Sequence, residues 1–504
     1  MERIGEQDLQ RLDLPRAAQE EAQTWRNLVP PDPWLPAVTA NPSGFADWVS
    51  TRMQMGARNA SSTLVNTRKA GQGVRPVAIV GIGERIAYRA ITNFVLSDIA
   101  PPSRSSEDYK SFASGPISYA YDGPSGMHRL GDAKLSHVVE ADVAAFYQYI
   151  DHEILRHELE LQTGNIREIA WLVGLLNEIQ GATFGLPQLL DPSDALSEIY
   201  IQILERDVVR QGLLAWRYND DIRIGVNAYD EAQGAVERLS DAARKLGLVL
   251  NEQKTFISRF LTYLARYIDT PIDDDDAQIN PADADIWVDG YPDIDDSEAR
   301  DAARHTLSLI RSAPDGDGQI DLRALDAQQL RQLRRAINAV TRFRDEAAIG
   351  RLVSLFLYTP VLTPRLCEYM VAMVESSPSP IADVWDVLTR EHDHSLSEWQ
   401  RLWLAYVARE SNLLVQAPTR VEWLRRQVAK RQGMLLHAEA SLALATASAI
   451  AFADLDEALR AQPEPLVPWY VLGMRELSRV GVAPASRVQA VKATSPLYRL
   501  LLDS

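Results

Sequence analysis

The chain has 504 residues, 46% of them hydrophobic and 24% charged, with a formal net charge of −17 and a single cysteine, Cys367. That length exceeds one ordinary core and implies two or three domains, with enough apolar mass to fill them. One cysteine excludes an intrachain disulfide and weighs against a cysteine-based metal site. The acidic balance weighs against a surface that grips long nucleic acid throughout, because neutralising phosphate takes lysine and arginine.

Residues 1–12 are polar and charged, unlike a secretory signal, so a cytoplasmic chain is expected. Residues 1–60 read as mainly helical, interrupted by Pro30, Pro31, Pro33 and Pro36, with a helix over 44–55. Val77, Ile79 and Ile82 mark a β-rich run, followed by a helix over 84–99. Residues 138–143 read as a strand, 150–162 and 194–210 as helices, 214–218 and 222–226 as strands about a turn, and 230–246 as a helix. Mixed structure thus spans 61–268. Residues 269–300 form an acidic stretch that includes Asp273, Asp274, Asp275 and Asp276. Such runs are usually solvated linkers, and no calcium-loop spacing is present. Over 301–504 no strand pattern is evident, and Leu330, Leu333, Ile337 and Val340 recur at helical spacing. An all-α, repeat-like domain is expected there. The most membrane-like stretch, 441–453, is short and flanked by Glu439 and Asp454, which fits a buried core helix.

Four segments carry the chemistry. They are EADVAAFYQYIDH at 140–152, GLPQ at 185–188 with Ser193, Leu196 and Tyr200 after it, YNDD at 218–221, and GLVLNEQKT at 247–255. A carboxylate ending an apolar strand and a pair at a hairpin turn can converge at the edge of one sheet. Such carboxylates hold Mg²⁺, a hard cation that shares oxygen ligands with phosphate. Two ions about 3.5–4 Å apart clamp the attacking and leaving oxygens of a phosphoryl transfer. Taken singly, an Asp-Asp turn is ordinarily just solvated and a Gly-Leu-Pro run just a loop; the four in this order say more.

Together these segments resemble motifs A to D of reverse transcriptases, over roughly residues 60–265. The fold this implies is an α+β right-hand polymerase fingers and palm, followed by the all-α domain. The resemblance implies that Asp142 and Asp220 are the principal Mg²⁺ ligands, with Mn²⁺ as an alternative, supported by Asp221. Lys254 matches a lysine that protonates the departing pyrophosphate. Tyr147 matches the residue that packs under the sugar and excludes a ribose 2′-hydroxyl; as a core aromatic after a strand, its neighbour Phe146 is the better candidate, though Phe146 too is placed beside the nucleotide. Gln188 would line the nucleotide site. Upstream, RKAGQGVRPV at 68–77 resembles the fingers hairpin, where Arg75, helped by Lys69, would grip the triphosphate through a planar fork of donors. Arg85, in GERIA at 83–87, matches the family's Asp-Arg segment with glutamate in place of aspartate. The run VAIVGIG at 77–83 mimics a dinucleotide-binding turn, but Ile86 stands where the third glycine belongs.

The sequence also departs from the family. Leu189 and Leu190 follow GLPQ where glycine is usual. FLTY at 260–263 resembles the start of the primer grip with threonine for glycine, and no basic thumb helix follows. A palm joined to a large helical domain, without maturase, endonuclease or RNase H signatures, resembles the abortive-infection group of bacterial defence reverse transcriptases. That implies antiphage defence, dNTP substrates, a DNA product and a non-coding RNA as further partner. Some members of that group make DNA without a template and prime from a protein hydroxyl; homo-oligomers are a further expectation, and the shortness of the 441–453 stretch implies no membrane partner. Tyr358, Tyr369, Tyr406, Tyr470 and Tyr498 are candidates for that hydroxyl, each with plain packing as its default. A retroelement-type enzyme copying its own RNA, and a silent palm used as a scaffold, stand as alternatives. EHDH at 391–394 suggests a metal site but more often forms a polar loop. The basic groups around Arg331, Arg334 and Arg335, and from Arg420 through Arg425, Arg426 and Lys430 to Arg431, read first as solvated helix faces.

Overall fold

A computed structural model describes residues 3–24, 26, 28–69, 73–100, 105–121, 133–269, 296–311, 319–415, 417–430 and 433–504. Its six strands are β1 (Thr63–Arg68), β2 (Val74–Ile79), β3 (His137–Asp142), β4 (Leu214–Tyr218), β5 (Asp221–Val226) and β6 (Phe256–Arg259). They form an antiparallel hairpin, β1–β2, and an antiparallel four-stranded sheet in the order β4-β5-β3-β6. The described residues fall into two compact units. One draws on Met1–Leu14, Arg52–Ser61 and Glu84–Gln278, the other on Pro15–Thr51, Ser62–Gly83 and Ile279–Ser504.

The first unit is built on the four-stranded sheet. Side chains alternate along β3. Val138 joins Leu135, Phe260 and Tyr263 in one apolar cluster, with Leu214 and Trp216 of β4 against it. The same face of β3 continues through Glu140 to Asp142. On the other side, Val139 and Ala141 are buried where the Tyr229–Lys245 helix meets β3 and β5. That helix buries Ala232, Ala235, Ala242 and Ala243, small side chains that let it lie close to the strands. Helix ends follow local rules. Asp151 caps His152–Thr163 by accepting from the amides of Glu153 and Ile154, and Gly164, at φ 71°, ends it in the left-handed region.

The second unit holds N-terminal helices, the β1–β2 hairpin and the helices from Asp296–Ser308 to Pro496–Asp503. After β6, no strand occurs among the described residues; Ile310 and Ile320 form only an isolated bridge. The hairpin packs on helices Glu398–Glu410 and Met434–Thr446. The Trp399 and Trp403 indoles both donate to the Leu28 carbonyl. Most of Met434–Thr446 is buried. Its Glu439 accepts from Arg409 Nε at 2.6 Å and Trp469 Nε1 at 2.8 Å, so the one charge inside this apolar helix is paired. No helix among the described residues is long and apolar enough to cross a membrane. The acidic stretch read as a linker falls largely in 270–295, outside the described residues.

Because β2 pairs antiparallel with β1, the glycine-bearing turn after it is not part of a parallel dinucleotide-binding unit.

Candidate active site

The sheet brings three aspartates to one end. In the β3–β5 register Asp142 lies directly opposite Asp221, and Tyr218 pairs with Asp221 to close the β4–β5 hairpin around Asn219 and Asp220. Asn219 sits at φ 51°, in the left-handed region that asparagine tolerates, which lets a two-residue turn carry Asp220. Asp142 is buried. Lys254 Nζ lies 3.2 Å from its Oδ2, and Asn251 Nδ2 donates to the same oxygen at 3.1 Å. The Asn251 amide donates to the Asp142 carbonyl at 2.8 Å, and the Lys254 amide to the Asn251 carbonyl at 3.0 Å. The segment after Gly247 is thus laced onto the end of β3 and delivers a cation to the carboxylate.

Arg217 anchors the hairpin. Its guanidinium donates to both carboxylate oxygens of Glu198, to Glu205 Oε2 at 2.8 Å and to the Asn219 carbonyl at 3.1 Å. Burial opposes its charge, but the two glutamates outweigh burial and raise its pKa. Tyr218 is buried against Tyr109 and Phe112 of the Ser106–Ala120 helix. Gly115 of that helix lies so close to Trp216 that a Cβ would come within 2.4 Å of the indole. Behind Asp142 on the same face, Arg223 reaches Glu140 at 3.4 Å and the Tyr263 hydroxyl at 3.1 Å, and Arg266 also bonds Glu140.

The loop of residues 183–188 is sewn to the segment after β3. Gly185 N donates to the Ile150 carbonyl and Leu186 N to the Tyr147 carbonyl, both at 2.8 Å. Buried His152 bridges Asn177 Oδ1 and the Gly185 carbonyl, each at 2.6 Å. Gln188 is half-buried on this loop. Leu189 adopts φ 66°, the conformation that glycine would take without strain. Phe146 is buried against Tyr200, as a core aromatic should be. Tyr147 is half-buried, and its hydroxyl donates to Asp194 Oδ1 at 2.5 Å.

The remaining site candidates stand on other elements. Arg75 is buried on β2 and Lys69 follows β1, both in the second unit, while Arg85 is fully buried on the Ile82–Val95 helix of the first. Of the tyrosines considered as primers, Tyr369 and Tyr470 are fully buried and Tyr358 is exposed. Asp393 of EHDH accepts from Arg401 Nε at 3.0 Å and Trp423 Nε1 at 2.9 Å. Among the described residues no three His, Cys, Asp or Glu side chains converge on a point where a metal could sit. The donor set of Asp142, Asp220 and Asp221 is nonetheless all carboxylate, the kind a hard divalent cation takes, and these residues fit that group chemically.

Asn251, Arg217, Asp194 and His152 went unassigned in the sequence reading. Asn251 stands inside the 247–255 segment and Asp194 just after the 185–188 one. Their partners lie 109 and 47 residues away, so adjacency alone carried no signal.

Residues 67–273 match the family model "Reverse transcriptase (RNA-dependent DNA polymerase)". Comparison with curated proteins finds no match. Among solved structures, the chain is similar to telomerase from Candida albicans in complex with a TWJ fragment of telomeric RNA. Identity is 9% and TM-score 0.30, with 75% of this chain and 67% of that one covered. It is also similar to telomerase from Candida tropicalis in complex with the same kind of fragment, at 10% identity and TM-score 0.31, covering 70% and 64%. The family-model match assigns a reverse-transcriptase domain to residues 67–273.

Proposed function

We propose that this domain adds deoxynucleotides from dNTPs at the sheet end that carries Asp142, Asp220 and Asp221, and that the protein acts in antiphage defence. One observation carries the catalytic part: Asp142 stands opposite Asp221 in register, with Asp220 on the adjoining turn. These three residues would hold Mg²⁺ or Mn²⁺, which when bound neutralises charge on the triphosphate and favours ionisation of the attacking hydroxyl. The hydroxyl oxygen attacks the α-phosphorus, the bond to pyrophosphate breaks, and Lys254 gives the leaving group a proton. Tyr147 bars the 2′-hydroxyl, with Phe146 behind it and Gln188 lining the site. Arg75 and Lys69 grip the triphosphate, and Arg85 binds the nucleotide with them.

The defence reading is supported by the helices that alone follow β6 among the described residues. Synthesis is untemplated and primed from a protein hydroxyl, for which the exposure of Tyr358 makes it the leading candidate.

The test is incorporation of each labelled dNTP by the purified chain with Mg²⁺, with and without RNA and a primer, beside Asp220→Ala. Label that protease alone releases, absent from the variant, supports protein-primed, untemplated synthesis. Incorporation only with RNA and primer points to a templated enzyme. Incorporation that survives Asp220→Ala, or none under any condition, sinks the catalytic reading.

A further inference from the structure

The hydroxyl of Tyr147 is tied down. It donates to Asp194 Oδ1 at 2.5 Å. Ser197 Oγ donates to the Asp194 carbonyl at 2.8 Å and lies 3.3 Å from Tyr147 Oη. Asp194 and Ser197 are three apart on helix Asp191–Arg210 and so share a face. The start of that helix is itself secured. Pro192 sits in its first turn, Arg89 donates to Asp191 at 2.9 Å, and the Tyr88 and Ser193 hydroxyls are 2.9 Å apart. On its flank, the Tyr147 ring meets Phe146 edge-on at 5.7 Å between centroids. Ala145, just before, is in the left-handed region at φ 49°, so the backbone turns sharply where these aromatics emerge. The ring is therefore held at its tip by the Asp194 carboxylate, with Ser197 bonded to the same residue's carbonyl, and along its side by a buried phenylalanine.

We propose that Asp194, assisted by Ser197, is a positioning residue that sets how strictly Tyr147 rejects ribonucleotides. This rests on the role given to Tyr147 above. An aromatic gate discriminates by occupying the volume a 2′-hydroxyl would need, so its power depends on how little the ring can move. A phenol donating to a carboxylate makes a charge-assisted hydrogen bond, stronger than one between neutral groups. Without it the ring retains its bulk but gains torsional freedom, and a ribose can push it aside. A bond that merely braced the helix would leave sugar selection unchanged when removed.

The experiment measures kcat/KM for one dNTP and the matching rNTP with the full-length chain and Mg²⁺. For Asp194→Ala the dNTP-to-rNTP ratio should fall about 10-fold, the scale of one hydrogen bond to a charged group. Asp194→Asn, which keeps an acceptor at the same place, should stay within about 3-fold of wild type. Tyr147→Phe should match Asp194→Ala, and the double variant should fall no further, because both remove the same tether. An unchanged ratio in a folded Asp194→Ala overturns the proposal, as does an additive double variant. If Asp194→Ala does not fold, Tyr147→Phe and Ser197→Ala carry the test, and unchanged ratios in both overturn it. Persistent incorporation by Asp220→Ala would instead remove the polymerase reading beneath it, so the two failures are distinguishable.

Discussion

Replacing Arg217 with alanine probes how the hairpin that carries Asp220 and Asp221 is held. The Arg217 side chain is 10% exposed, and its two partners, Glu198 and Glu205, are 18% and 39% exposed. Arg217→Ala removes the cation between two carboxylates of one helix and frees the Asn219 carbonyl at the turn. Breaking a buried ion pair by deleting one partner costs about 3–5 kcal/mol. Glu205 is more than a third exposed, so solvent offsets part of that, and about 2–4 kcal/mol is expected. For a unit near 200 residues this lowers Tm by roughly 5–15 °C. Arg217→Lys keeps the charge, but one ammonium cannot span three acceptors, so an intermediate loss is expected. Thermal melting followed by circular dichroism gives the stability, and dNTP incorporation below the variant's melting range gives the function. Both should fall. A Tm within about 2 °C of wild type would refute the energetic argument. A large loss of stability with full incorporation would refute the claim that the clamp sets the hairpin for chemistry.

Three other outcomes are expected. Asn251→Ala removes a donor from Asp142 and should lower kcat/KM about 10-fold with little change in melting; an unchanged rate would show that Asn251 does not orient the carboxylate. Leu189→Val puts a β-branched side chain in the left-handed region and should cost about 1–3 kcal/mol, whereas Leu189→Gly should stay within about 1 kcal/mol of wild type in urea melts. Equal losses would mean that the Leu189 side chain, not its backbone, matters. In the helical unit, burial works to raise the Asp345 carboxyl, but Arg300, the Ala347 amide and Arg304 outweigh it and hold the pKa below the usual value. A depressed acid stabilises the fold above its unfolded pKa, about 3.9, and that contribution fades as pH falls through the folded value. The Tm gap between wild type and Asp345→Asn should therefore be widest near neutral pH and close below about pH 4; a gap constant down to the lowest measurable pH would contradict this.

Much of the palm was legible because its signals are local. The helix expected over 194–210 occurs as Asp191–Arg210, its start set by Pro192. The strands expected at 214–218 and 222–226 occur as β4 and β5, since their apolar positions flank a turn that only a few residue types accept. The core helix expected over 441–453 occurs instead as Met434–Thr446, with Glu439 inside it, and the chain turns before the next helix, Phe452–Ala461. Leu189 stands where glycine is usual in the family it resembles, and its positive φ is the physical meaning of that departure.

What the residues could not disclose is who meets whom. The YNDD turn, the strand-terminal Asp142 and the Asp191–Arg210 helix are written in spacing and turn chemistry, and these act over a few residues. The tether from Tyr147 to Asp194, the Arg217 clamp, the Asn251 and Lys254 contacts on Asp142, and the packing of the β1–β2 hairpin on helices more than 300 residues later depend on register and packing across the whole fold. Local propensity therefore determined the elements. Only closure of the sheet set Asp142 opposite Asp221, because a side chain's neighbours across a sheet are chosen by strand order and register rather than by distance along the chain.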